Sequence, residues 1–153
     1  MSTLKERITD DLKAAMLARD EFAKVTLGSL KAAILNEEVA KGLRDSGLGD
    51  DQVEQLIARE VKKRDESAAL FEQGGNQASA DKERAEKELL SRYLPEQVSE
   101  DELAQAIDTI IGELKPDGPK DMGKVIGAVK AKFGTSADGA TVARLVKAKL
   151  VEG

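Results

Sequence analysis

The chain has 153 residues, 41% hydrophobic and 35% charged, with a net charge of −5, enough apolar material for one ordinary domain or two small ones. Aromatics make up only 3%, so the core must be aliphatic and base stacking is excluded as the main mode of contact with nucleic acid. Cysteine and histidine are both absent, which removes disulfides, thiolate nucleophiles, Cys-ligated zinc or iron–sulfur clusters, imidazole metal ligands and every Ser-His or Cys-His arrangement. No metal and no cofactor are expected. No apolar run approaches the roughly 18 residues that cross a bilayer, and Glu6, Asp10 and Asp11 interrupt the first twenty residues, so neither a membrane partner nor a targeting peptide is expected. The expected location is the cytoplasm.

Apolar residues recur at helical spacing nearly everywhere, and no alternating strand pattern is bounded by turn residues, so the expected fold class is all-α. A first helix opens at Thr3, with Glu6 at capping-box spacing, and puts Leu4, Ile8, Leu12 and Met16 on one face. A second follows Asp20 with Phe22, Val25, Leu30, Ile34 and Leu35, and stops near Gly42. Asp50 or Asp51 is the expected cap of a third, whose buried stripe is Val53, Leu56, Ile57, Val61, Ala68 and Phe71. Gly74-Gly75-Asn76 breaks it, and a fourth helix runs from about Ser79 to Leu94, where Pro95 disfavours helical geometry in its predecessor.

Ser99 and Glu102 then repeat the capping spacing, which makes Pro95 to Ser99 the expected boundary between two modules. Residues 1–96 form an N-terminal bundle of about four helices, and residues 97–153 a C-terminal three-helix unit. The apolar stripes of that unit are Leu103, Ile107, Ile110, Ile111 and Leu114, then Met122, Val125, Ile126, Val129 and Phe133, then Val142, Leu145, Val146 and Leu150.

The tail of this unit is where a partner can be inferred. From Pro119 to Leu150, Lys120, Lys124, Lys130, Lys132, Arg144, Lys147 and Lys149 face only Asp121 and Asp138, a net of +5 on an acidic chain. Charge of one sign gathered on a small surface steers polyanions at long range, and without aromatics such contacts go to phosphate and 2′-OH. The competing reading is ordinary solubility and dipole compensation at helix C-termini. Gly123, Gly127 and Gly134 punctuate the same stretch. A helical glycine costs about 1 kcal/mol against alanine, so Gly123 and Gly127 imply something packed close, most simply another helix, alternatively an RNA backbone.

Other clusters read more plainly. Arg59, Lys62, Lys63 and Arg64 stand among Glu60, Asp65 and Glu66, a solvated face stitched by helical pairs. Glu37 with Glu38, and Glu100 to Glu102, read as surface charges, since neighbours on a helix point about 100° apart. No phosphate loop, dinucleotide fingerprint, nucleophile elbow or metal-ligand spacing occurs.

Arg59-Glu-Val-Lys-Lys-Arg-Asp-Glu-Ser-Ala-Ala-Leu-Phe, Tyr93-Leu-Pro-Glu-Gln-Val-Ser-Glu-Asp-Glu-Leu and Asp121-Met-Gly-Lys-Val-Ile-Gly, in this order, resemble the YqeY family over nearly the full length. The C-terminal part, with Ala137-Asp-Gly and Leu145-Val, is similar to the tail domain of the B subunit of the tRNA-dependent amidotransferase. That resemblance implies a helical, RNA-facing tail without the catalytic regions, and a label of carbon–nitrogen ligase with glutamine as amido-N-donor by kinship alone. Gly75-Asn76 departs from the Gly-Arg pair expected at that loop.

The resulting expectation is a protein that is no enzyme on its own and binds tRNA or another structured RNA, not DNA, through residues 119–150. Its rival is an adaptor for amidotransferase, synthetase or other translation components, using the acidic residues 1–97, net −4.

Overall fold

The computed structural model describes residues 3–152, and among them the only regular elements are helices. They are α1 (Leu4–Ala18), α2 (Glu21–Ala40), α3 (Asp50–Gln73), α4 (Gln77–Ser91), α5 (Glu100–Leu114), α6 (Met122–Phe133) and α7 (Gly139–Glu152), with 3-10 turns at Pro119–Asp121 and Gly134–Ser136. The chain is all-α. None of the described helices is long and apolar enough to cross a membrane. The chain divides into two compact units, Met1–Leu94 and Pro95–Gly153.

In the first unit α1 starts where Thr3 Oγ1 accepts from Glu6 N–H at 3.2 Å. It ends in a two-residue turn: Arg19 takes the left-handed conformation, and Asp20 Oδ1 accepts from Ala23 N–H at 3.1 Å to open α2. Antiparallel α1 and α2 lie beside the long α3–α4 hairpin, around Leu4, Ile8, Leu27, Leu30, Ile34, Leu48, Val53, Leu56, Ile57, Val61, Leu90 and Tyr93.

Several positions differ from the expected stripes. Met16 is exposed and Ala15 takes the buried place, because at 3.6 residues per turn Ala15 stays in line with Leu4 and Ile8 while a strict four-residue row drifts off that face by Met16. In α2 the buried row is Thr26, Leu27, Leu30, Ile34 and Glu38, while Phe22, Val25 and Leu35 point outward. Apolar residues occur on both sides of α2, so spacing alone did not choose the side. Phe71, near the end of α3, is likewise exposed. Gly49, not an aspartate, sits at the cap of α3; Asp50 Oδ1 instead accepts from Leu4 N–H at 3.0 Å and ties the start of α1 to the start of α3. α4 opens at Asn76, whose Oδ1 accepts from Ser79 N–H at 3.1 Å, and beyond Ser91 the chain tightens into i→i+3 bonds before Pro95.

Glu38 is not a surface charge. It is buried, accepts from Lys5 Nζ at 2.6 Å and from Leu48 N–H at 2.8 Å, and so joins α1, α2 and the loop before α3. The Lys5 hydrogen bond, helped by the Leu48 amide, holds its carboxyl below the ordinary carboxylate range. Burial opposes them and loses, because the site is shallow, roofed by a lysine in contact with water. Tyr93 donates to Asp11 beneath the Arg7 guanidinium, 5.7 Å from the ring centre; burial first, then the Asp11 bond, push its phenol well above the ordinary value.

In the second unit Ser99 Oγ accepts from Glu102 N–H at 3.2 Å and starts α5. The helices close on Leu103, Ile107, Ile110, Val125, Val129, Val142 and Val146. Leu114 is exposed at the end of α5, past its contacts. Val98 N–H bonds to Ser136 O at 2.8 Å and Gln97 Nε2 to Thr135 O at 2.9 Å, so the segment before α5 is fastened to the turn between α6 and α7.

Candidate functional site

The basic tail residues occupy two helix faces. In α6 the buried side is Val125 and Val129, with Met122, Ile126 and Phe133 beside them. At 3.6 residues per turn the opposite side carries Gly123, Gly127, Ala131 and Gly134, with Lys124 along one edge, Lys130 along the other and Lys120 at the head. Gly134 ends the helix with φ 56° and ψ −133°, a conformation that disfavours any side chain. Gly123 and Gly127 have ordinary helical geometry, and a Cβ on either would meet nothing within 4 Å. The expected close packing of a helix against these two glycines is therefore absent among the described residues: the row faces open space, since burial of α6 is satisfied from its valine side.

The second face is on α7. Asp138 Oδ2 caps it, accepting from Thr141 N–H at 3.1 Å and Thr141 Oγ1 at 2.8 Å. Val142 and Val146 are buried, which sends Arg144 and Lys147 outward and turns Lys149 toward α5.

The acids of α5 change the charge balance. Lys149 pairs with Asp108 at 2.6 Å, and Arg144 with Glu100. Residues 95–153 carry eight basic residues against ten acidic, so the unit is net negative and its positive surface is local. Lys120 and Lys124 lie 3.8 Å from Asp117 and Asp121, long pairs of little strength whose lysines are exposed. Lys132 sits 5.5 Å from the centre of the Phe133 ring, away from the glycine row. Lys130 and Lys147 have no ion pair among the described residues. Of the seven basic candidates, then, Lys120, Lys124 and Lys130 share a face with the glycines, Arg144 and Lys147 share another, and Lys132 and Lys149 belong to neither. Sequence reasoning missed Glu100 and Asp108 as partners; no local spacing links α5 to α7.

The basic cluster of α3 is largely neutralised. Arg59 bonds to Glu37 at 2.6 Å, Lys63 to Glu60 at 3.1 Å and Arg64 to Glu60 at 3.5 Å, while Lys87 of α4 holds Asp65 at 2.8 Å. No group of three or more acidic side chains among the described residues gathers closely enough to hold a metal ion.

Fold and surface define a small all-helical protein of two units whose available cations lie on open helix faces. The chain belongs to the YqeY family: the family of Yqey-like proteins matches residues 5–150. Among curated proteins it is 34% identical over 110 residues to "Altered inheritance of mitochondria protein 41, mitochondrial" of Eremothecium gossypii, covering 71% of this chain and 59% of that one. It is 28% identical over 129 residues to the protein of the same name from Kluyveromyces lactis, covering 82% of this chain and 68% of the relative. The chain thus spans about three fifths of the length of the first relative. These relatives overturn the cytoplasmic expectation, since both are named as mitochondrial proteins. That expectation rested on a missing targeting pattern, and an absence fixes no compartment.

Proposed function

We propose that this protein binds structured RNA, tRNA in the first instance, through the outer face of α6 in its C-terminal unit, without catalysing a reaction itself. One observation carries the reading: two glycines of α6, Gly123 in its first turn and Gly127 in its middle, lie bare between the edges marked by Lys124 and Lys130. Gly127, inside the helix, costs about 1 kcal/mol against alanine, and no described contact offsets that cost. A phosphodiester backbone laid along the row approaches the helix without meeting a side chain, while lysines on both edges and Lys120 at its head neutralise phosphates. With one tyrosine, three phenylalanines and no tryptophan in the chain, recognition falls to phosphate, 2′-OH and shape. The resemblance to an amidotransferase tail points the same way, and the mitochondrial names of the relatives make mitochondrial translation the proposed setting.

The test is binding of folded tRNA to the parent and to Lys120→Glu/Lys124→Glu/Lys130→Glu. The parent is expected to bind at about 10⁻⁶ to 10⁻⁴ M, with log affinity falling linearly in log salt, and the triple variant to lose binding with its circular dichroism unchanged. Undiminished binding by the triple variant refutes the assignment.

A further inference from the structure

The first unit carries an apolar helix face that nothing described covers. α2 buries Leu27, Leu30 and Ile34 on one side, and on the other presents Val25, Gly28, Ala32, Leu35 and Val39 at alternating three- and four-residue spacing. Val25 is 59% exposed, Leu35 48% and Val39 55%. A helix apolar on both sides is ordinarily covered on both, and a continuous exposed stripe of this kind marks a binding surface. The stripe opens at Ala32 and Leu35 into a groove of about 390 Å³ between α1 and α2, floored by Ile8 and Ile34.

The charges around the stripe select the occupant. Along one edge of the stripe stand Lys24 and Lys31, the latter also lining the groove; Lys24 touches Glu21 only at 3.6 Å, and Lys31 has no ion pair among the described residues. Lys5, across the groove, is already neutralised by Glu38. The other edge, Ser29 and Asn36, is uncharged. One flank of the seam is thus positive and the other neutral. A second copy fits poorly: antiparallel self-pairing brings the two lysine edges together, and parallel pairing aligns the helix dipoles.

We propose that the outer face of α2 docks an amphipathic helix of a partner protein, one with an apolar seam and acidic residues along the edge that meets Lys24 and Lys31. The mode is helix against groove: Val25, Leu35 and Val39 grip the seam, Gly28 and Ala32 allow close approach at the crossing, and the lysines set direction and partner choice. The face belongs to the first unit, so its use is independent of RNA binding by the second.

The experiment uses the full chain and two synthetic helical peptides of the length of α2 with the same leucine seam, one edged with glutamate and the other with lysine, read by fluorescence anisotropy. The glutamate-edged peptide is expected to bind at least about tenfold tighter. Lys24→Glu/Lys31→Glu reverses the preference, and Leu35→Glu, or Val39→Glu alone, abolishes binding with melting unchanged, since these side chains are exposed. The proposal is overturned if the two peptides bind alike, if neither binds at millimolar concentration, or if Leu35→Glu leaves binding intact. It is equally overturned if the parent forms a dimer in sedimentation velocity that Leu35→Glu disperses, which assigns the face to a second copy. Binding to phosphatidylglycerol vesicles that Leu35→Glu eliminates assigns it instead to a membrane surface.

Discussion

Replacing Glu38 tests the first unit at a buried carboxylate. Glu38→Ala removes the acceptor of a buried amide, Leu48 N–H, and the partner of Lys5. An orphaned buried amide costs about 1–3 kcal/mol. The ion pair adds about 1 kcal/mol or less, because Lys5 is 39% exposed and regains water when released. The expected loss is about 1–4 kcal/mol, a fall in melting temperature of at least about 4 °C for a unit of this size. Glu38→Gln keeps an acceptor for Leu48 and loses only the charge, so it should cost about 1 kcal/mol. The two variants also differ with pH. The folded-state pKa of Glu38 lies below its ordinary 4.5, so its contribution is complete above that value and disappears as pH falls through the folded-state pKa. The gap between parent and Glu38→Gln should be constant from about pH 8 to about pH 5.5 and close progressively below about pH 4. Urea unfolding followed by circular dichroism at several pH values measures both. A cost for Glu38→Ala under about 1 kcal/mol at neutral pH, or a gap to Glu38→Gln that does not change with acid, refutes the account.

Gly127→Ala has room for its methyl, so it should stabilise the second unit by about 0.5–1 kcal/mol in thermal melts while weakening tRNA binding; stabilisation with unchanged binding removes the glycine row from the interface. Limited digestion with a glutamate-specific protease should cut first at Glu96, which is exposed and lies in the non-helical stretch between α4 and α5; first cuts inside α2 refute that organisation. The purified chain should release no ammonia from glutamine, having neither Cys nor His to serve a nucleophile; release that scales with protein and vanishes on mutation of one of its own serines or carboxylates refutes the non-catalytic reading.

What the sequence determined by itself was local. Helical spacing, the Thr3 and Ser99 caps, the Asp20 cap, the break at Gly74-Gly75 and the stop before Pro95 each depend on residues within a turn of one another, so the all-α class and the helix order were legible. The family was legible too, from three quoted segments over most of the chain. Tertiary structure decided whatever depends on distant neighbours. α2 is apolar on two sides, and only the positions of α1 and α3 settle that Leu27 and Ile34 are buried while Val25 and Leu35 are exposed. Glu38 reads as one of two adjacent surface acids until Lys5 and Leu48, distant in sequence, close over it. Arg144 and Lys149 read as free cations until α5 places Glu100 and Asp108 beside them, and Gly123 and Gly127 as packing glycines until α6 turns its valines inward. Caps and periodicity are set by the chain's own nearest turns; which face is covered and which charge is neutralised depends on what another helix brings to it.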